Sequence, residues 1–141
     1  MPLVPNDTDG AISRSRIQSY VTAKEKVTAV AVTNAATPTA AQLLNSKLFV
    51  ATPTEDTTFT LPTAALVLAE LKDEAVGTSF EFTIVNLASS FETVVTTNTG
   101  WTITGGGLMT VFDGTSATFL AVVTSTTAIQ LYRKNSGGAV K

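Results

Sequence analysis

Along the second half of the chain, apolar and polar residues alternate. Phe80, Phe82 and Ile84 fall on one side and Glu81, Thr83 and Val85 on the other. This is the two-residue period of a strand with one face buried. Segments 91–97, 101–104, 108–112, 115–124 and 128–133 repeat the pattern, separated by Ser89-Ser90, Asn98-Thr99-Gly100, Gly105-Gly106-Gly107, Asp113-Gly114 and Ser125-Thr126. Short strands punctuated by turn residues in this way predict an all-β domain. The Asp113-Gly114 pair predicts a hairpin between two antiparallel neighbours, because Gly supplies the positive φ of a tight turn.

The first half is more mixed. A β-branched run over 27–34 predicts a strand, as do 47–52 and 57–61. Between the first two, Thr37-Pro38 through Asn45 has the punctuation of a capped helical turn. Pro62 opens the one good helix, 62–72, where Ala64, Val67, Leu68 and Leu71 make an apolar stripe at three- and four-residue spacing. Residues 1–25 show no sustained period. Pro2, Pro5, Asn6, Asp7 and Gly10 precede Ser13-Arg14-Ser15-Arg16, the composition of an extended arm. Its apolar residues Leu3, Val4, Ile12, Ile17 and Tyr20 would give it something to bury on a partner, the alternative being a disordered terminus. The organisation expected is an arm (1–25), an antiparallel β-sandwich with one short helix (26–134) and a loose tail (135–141).

Composition sharpens this reading. Only 14% of residues are charged and mean hydropathy is +0.27, so the outer surface must consist largely of threonine, serine, alanine and apolar side chains. Threonine, at roughly one position in five, suits a pleated surface. Such a surface fits a protein that ends packed against others. Segment 1–50 carries five cations against three acids (+2), and the remainder four against eight (−4), which gives the overall −2. No dense Lys/Arg cluster is present, so nucleic acid is not an expected partner. There is no 18-residue apolar run and no signal-peptide pattern near Met1, which predicts a soluble chain made in a cytoplasm, with no membrane partner.

Histidine and cysteine are both absent, which removes the commonest general base, the usual nucleophilic pairs and the main zinc ligands. Asp7-Thr8-Asp9-Gly10 does not extend into a calcium loop, since the first ligand position would fall on Pro5 and the last on Arg16. Gly105-Gly106-Gly107 lacks the Lys and Ser/Thr of a phosphate loop. A carboxylate pair, Glu81 with Glu92 on neighbouring predicted strands, is the one catalytic option, set against the simpler reading that both mark a solvent face. Trp101, Phe112, Tyr20 and Tyr132 would stack sugars only if exposed together, the alternative placing Trp101 and Phe112 in the core. No enzyme activity and no cofactor are expected.

Between 40 and 134 the chain carries an ordered set of segments: Ala40-Ala41-Gln42-Leu43-Leu44, Thr60-Leu61-Pro62-Thr63-Ala64-Ala65, Val76-Gly77-Thr78-Ser79-Phe80-Glu81-Phe82-Thr83-Ile84-Val85-Asn86, a Thr-rich strand pair, and Ile129-Gln130-Leu131-Tyr132-Arg133. In order and spacing this set resembles a family of phage and giant-virus surface modules. The resemblance implies a jelly-roll-like β-sandwich that forms homotrimers and serves as a capsid cement (decoration) protein. Its partner would be the major capsid protein, its place the outer surface of the virion, and its capsid-binding residues those of the arm: Leu3, Val4, Ile12, Arg14, Arg16, Ile17 and Tyr20. The alternative within the same resemblance is a tail-fibre or head-fibre module that binds a glycan receptor. The arm lacks the Gly-X-Y repeats of a collagen-like stalk, which favours the capsid-bound version.

Overall fold

The computed structural model describes residues 27–72, 75–104 and 108–135. Among them the chain forms β1 (Val30–Val32), a π-helical turn (Gln42–Ser46), β2 (Leu48–Ala51), β3 (Thr57–Thr60), α1 (Ala64–Leu71), β4 (Ser79–Asn86), β5 (Thr93–Thr96), β6 (Trp101–Ile103), β7 (Thr110–Val111), β8 (Ser116–Ser125) and β9 (Ala128–Arg133). The strands make two sheets, a six-stranded one in the order β1-β2-β4-β8-β9-β6 and a three-stranded one in the order β3-β5-β7. The fold is mainly β.

The expectation of an antiparallel fold is corrected. Four of the seven strand pairings, β1 with β2, β2 with β4, β3 with β5 and β6 with β9, are parallel. The cause is the path of the chain, which switches sheet at almost every strand. From β1 it crosses to Ala36, which pairs in parallel with Phe59 of β3, then returns for β2, crosses for β3, returns for β4 and crosses for β5. Each strand therefore meets the one laid down a turn earlier, running the same way, with a strand of the opposite sheet in the crossover. The second half is built differently: β8 inserts antiparallel between β4 and β9.

Asp113-Gly114 does form a turn, with Gly114 at φ 68° and the Thr115 amide donating to the Phe112 carbonyl. It joins β7 to β8, which lie in different sheets, so the predicted hairpin between paired neighbours is also corrected. The tight antiparallel connection is instead Thr126-Thr127, between β8 and β9.

The core lies between the sheets. Phe49, Phe82 and Phe119 from the large sheet meet Phe59 from the small one, all essentially inaccessible. Phe49 meets Phe59 edge-on at 4.9 Å between centroids, Phe82 stacks on Phe119 at 5.2 Å, and Phe82 lies 6.4 Å from both Phe49 and Phe59. Ring pairs of this kind add about 0.5–1.5 kcal/mol each beyond their burial.

The two ends of the layers close by different means. At one end α1 buries Ala64, Val67 and Leu68, with Leu71 half-buried, as the stripe predicts. The Thr63 side chain caps it by accepting the Leu66 amide. Gly100, at φ 88°, lets the chain pass this helix, since a Cβ there would sit 2.6 Å from the Ala64 Cβ. The π-helical turn packs at the same end, opened by a reciprocal box in which Thr39 Oγ1 accepts the Gln42 amide and Gln42 Oε1 accepts the Thr39 amide.

At the other end two polar side chains tie the sheets together. Fully buried Asn86 donates to the carbonyls of Phe91 and Val111 and accepts from the Ala88 amide. Arg133 reaches from β9 to the carbonyls of Leu108 and Thr110, with its guanidinium 6.0 Å from the centre of the Phe119 ring. Burial pushes the Arg133 pKa down from the usual arginine value.

Candidate interaction surfaces

Two surfaces hold apolar side chains that no described strand or helix covers. The first is the outer side of α1. Turning Ala64, Val67 and Leu68 inward leaves Ala65, Leu66 and Ala69 facing out, with Leu66 59% exposed. A groove of about 650 Å³ runs between this face and the 37–41 segment, with Pro38, Pro62, Leu66 and Glu70 among its lining residues. A smaller one of about 420 Å³ lies on the helix's other side, against Thr126 and Thr127.

The second is the outer face of the six-stranded sheet. Because β4 turns Phe80, Phe82, Ile84 and Asn86 inward, its outward positions are Ser79, Glu81, Thr83 and Val85. Strand register aligns these in rows: Leu48 with Thr83 and Thr118, Val50 with Val85 and Ser116, Glu81 with Leu120 and Tyr132, and Ser79 with Val122 and Gln130. Leu48, Val50, Val85, Leu120, Val122 and Tyr132 are half-buried by their neighbours alone. The small sheet, α1 and the π-helical turn all pack on the opposite side, so no described strand or helix lies over this face.

Three pairs of polar groups on the outer face bond each other. Thr83 and Thr118 share a hydrogen bond of 2.9 Å, Tyr132 Oη donates to Gln130 Oε1 at 2.7 Å, and Lys134 Nζ pairs with Glu81 Oε2 at 2.7 Å. That ion pair, with side chains about half exposed, contributes at most about 1 kcal/mol. It does cancel the face's charge. The other described acids sit elsewhere: Glu70 is exposed on α1, while Glu55 and Asp56 lead into β3, Glu92 leads into β5 and Asp113 follows β7, these four at the end closed by Asn86.

The candidate catalytic pair is not assembled. Glu81 lies on the outer face of the large sheet with Lys134, whereas Glu92 lies at the entry to the small sheet, its amide donating to Asp56 Oδ1. The strands are consecutive but belong to different sheets. Among the described residues no group of three or more His, Cys, Asp or Glu could hold a metal ion. Trp101 is a core residue, its indole N–H donating to the Pro62 carbonyl at 2.8 Å and its ring edge-on to Phe80. Phe112 and Tyr132 are half-buried. No helix among the described residues is long and apolar enough to cross a membrane.

The arm residues Leu3, Val4, Ile12, Arg14, Arg16, Ile17 and Tyr20 fall outside the described residues, as do Gly105-Gly106-Gly107 and 136–141. Asn135, expected to begin the tail, accepts the Thr118 amide and Arg133 Nε, so it belongs to the folded body.

No family model matches the chain, and no curated protein or solved structure matches it either.

Proposed function

We propose that this protein is a structural, non-enzymatic component of a virion: a capsid cement (decoration) protein that acts as a homotrimer and stabilises the shell of a major capsid protein from its outer surface. The observation that carries the reading is the charge-neutral, Thr- and Val-rich outer face of the large sheet together with the apolar side of α1. Among the described residues no strand or helix covers either of them. A subunit packed among other subunits would cover them. The separation of Glu81 from Glu92 also removes the one carboxylate pair that the sequence offered for hydrolysis.

In this reading the arm makes the capsid contact, with Leu3, Val4, Ile12, Ile17 and Tyr20 burying apolar area and Arg14 and Arg16 meeting carboxylates or carbonyls of the shell. Deleting 1–25 is expected to abolish binding to undecorated capsids in a co-sedimentation assay while the body remains folded. Binding at the affinity of the intact chain would remove the arm from the mechanism.

A further inference from the structure

We propose that the Asp113-Gly114 step is a self-modification site, at which the folded protein converts aspartate to isoaspartate through a cyclic imide, with water as the only co-reactant. The proposal goes beyond the virion reading and does not depend on it.

The reaction needs three things at one peptide bond: a side-chain carboxyl or amide free to turn toward the next nitrogen, a nitrogen whose hydrogen is not already donated, and little bulk beside that nitrogen. Asp113 and Gly114 are both exposed in the turn between β7 and β8. Among the described residues neither the Asp113 carboxyl nor the Gly114 amide has a hydrogen-bond partner, because the turn is held from the Thr115 amide and hydroxyl to the Phe112 carbonyl. Gly114 brings no Cβ, and one built there would meet nothing within 4 Å, so neither a side chain nor packing crowds the nitrogen.

Every other described Asp or Asn is followed by a residue that carries a side chain, and the fold restrains several of these steps further. Asp56 accepts the Glu92 amide while the Thr57 amide behind it donates to the Glu92 carbonyl. Asn86 is buried and bonded, and the Leu87 amide donates to Ala51. At Asn98 the side-chain oxygen itself accepts the Thr99 amide. Only Asp113 meets all three requirements.

In the reaction the Gly114 nitrogen attacks Cγ of the protonated Asp113 carboxyl. The N–Cγ bond forms, the nitrogen's proton and the carboxyl hydroxyl leave as water, and a five-membered imide results. Water then adds to either ring carbonyl. Breaking the N–Cγ bond returns aspartate, whereas breaking the bond from the main-chain carbonyl carbon to nitrogen leaves the chain running through Cβ and Cγ, with a free α-carboxylate. One water is lost and one gained, and nothing is oxidised or reduced.

The product adds one carbon to the path of the chain at a connection between the two sheets. Asn86 is bonded on both sides of it, its side chain donating to the Val111 carbonyl and its amide to the Thr115 carbonyl. A longer turn shifts these two anchors relative to each other, so the modification loosens the end that Asn86 closes.

The test incubates the full chain in mildly acidic buffer made with oxygen-18 water, and follows its peptides by mass spectrometry with fragmentation that separates isoaspartate from aspartate. The peptide containing Asp113 should take up labelled oxygen and accumulate isoaspartate, while those containing Asp56, Asn86 and Asn98 should do neither. Asp113→Glu, which would have to close a six-membered ring, should lose the reaction. An Asp113 peptide without label, equal conversion at Asp56 or Asn98, or conversion undiminished in Asp113→Glu overturns the proposal, and the intact chain decides even where the variant does not fold. The isoaspartate form, separated chromatographically, should unfold at a lower denaturant midpoint than the unmodified chain. An unchanged midpoint would overturn the link to the Asn86 end.

Discussion

The inner and outer faces of the six-stranded sheet are made by the same strands, one residue apart, and both are rich in apolar side chains. What separates them is cover. On β4, Phe82 is buried against three other rings, while its neighbour Glu81 points outward toward Leu120 and Lys134. The inner face is held by the small sheet and α1, whereas no described strand or helix lies over the outer face. Apolar content alone does not identify a core, therefore; the supply of elements able to cover a face decides whether it becomes a core or an interface.

Four substitutions would break or sharpen this contrast, each read from the denaturant midpoint at a protein concentration where the chain is monomeric. Phe82→Ala should cost about 3–5 kcal/mol, because it removes a ring that the surrounding phenylalanines cannot collapse to replace. A loss comparable to that of an outer-face residue would show that the inner face is not the core. Asn86→Leu should cost about 2–3 kcal/mol, since it strands the Phe91 and Val111 carbonyls and the Ala88 amide. An unchanged midpoint would mean that these groups are solvated, and that the end of the layers is open.

Thr93→Val should raise stability by about 1 kcal/mol, because the buried Thr93 hydroxyl has no hydrogen-bond partner and the replacement has nearly its shape. Destabilisation would mean the hydroxyl is satisfied. Leu120→Ala, finally, should change monomer stability by less than about 1 kcal/mol. A cost near that of Phe82→Ala would place Leu120 in a core and end the distinction between the faces.

Much of this was legible in the chain. Alternation through 79–85 placed Phe80, Phe82 and Ile84 inward correctly, and the stripe Ala64, Val67, Leu68 and Leu71 found the packed side of α1. Segment 128–133 coincides with β9. Period-two patterning reports which side of a strand is buried, but says nothing of which strand lies next to it. That is why the parallel pairings escaped, and why Asp113-Gly114 read as a hairpin when it carries the chain from one sheet to the other.

The outer face escaped for a related reason. Glu81 and Thr83 mark the outward side of β4 as polar. The apolar Leu48, Val50, Leu120 and Val122 join them only once the register is known. The box Thr39-Ala40-Ala41-Gln42 was a readable signal for the turn that follows, whereas the roles of Asn86 and Arg133 depend on carbonyls from distant segments and had no local signature.

The most direct test of the account is the number of copies of this chain per major capsid protein in purified particles. The cement reading predicts near-stoichiometric amounts, hundreds per particle, spread over the shell. A handful of copies would contradict it and point to a fibre head, and absence from particles would contradict the virion assignment altogether.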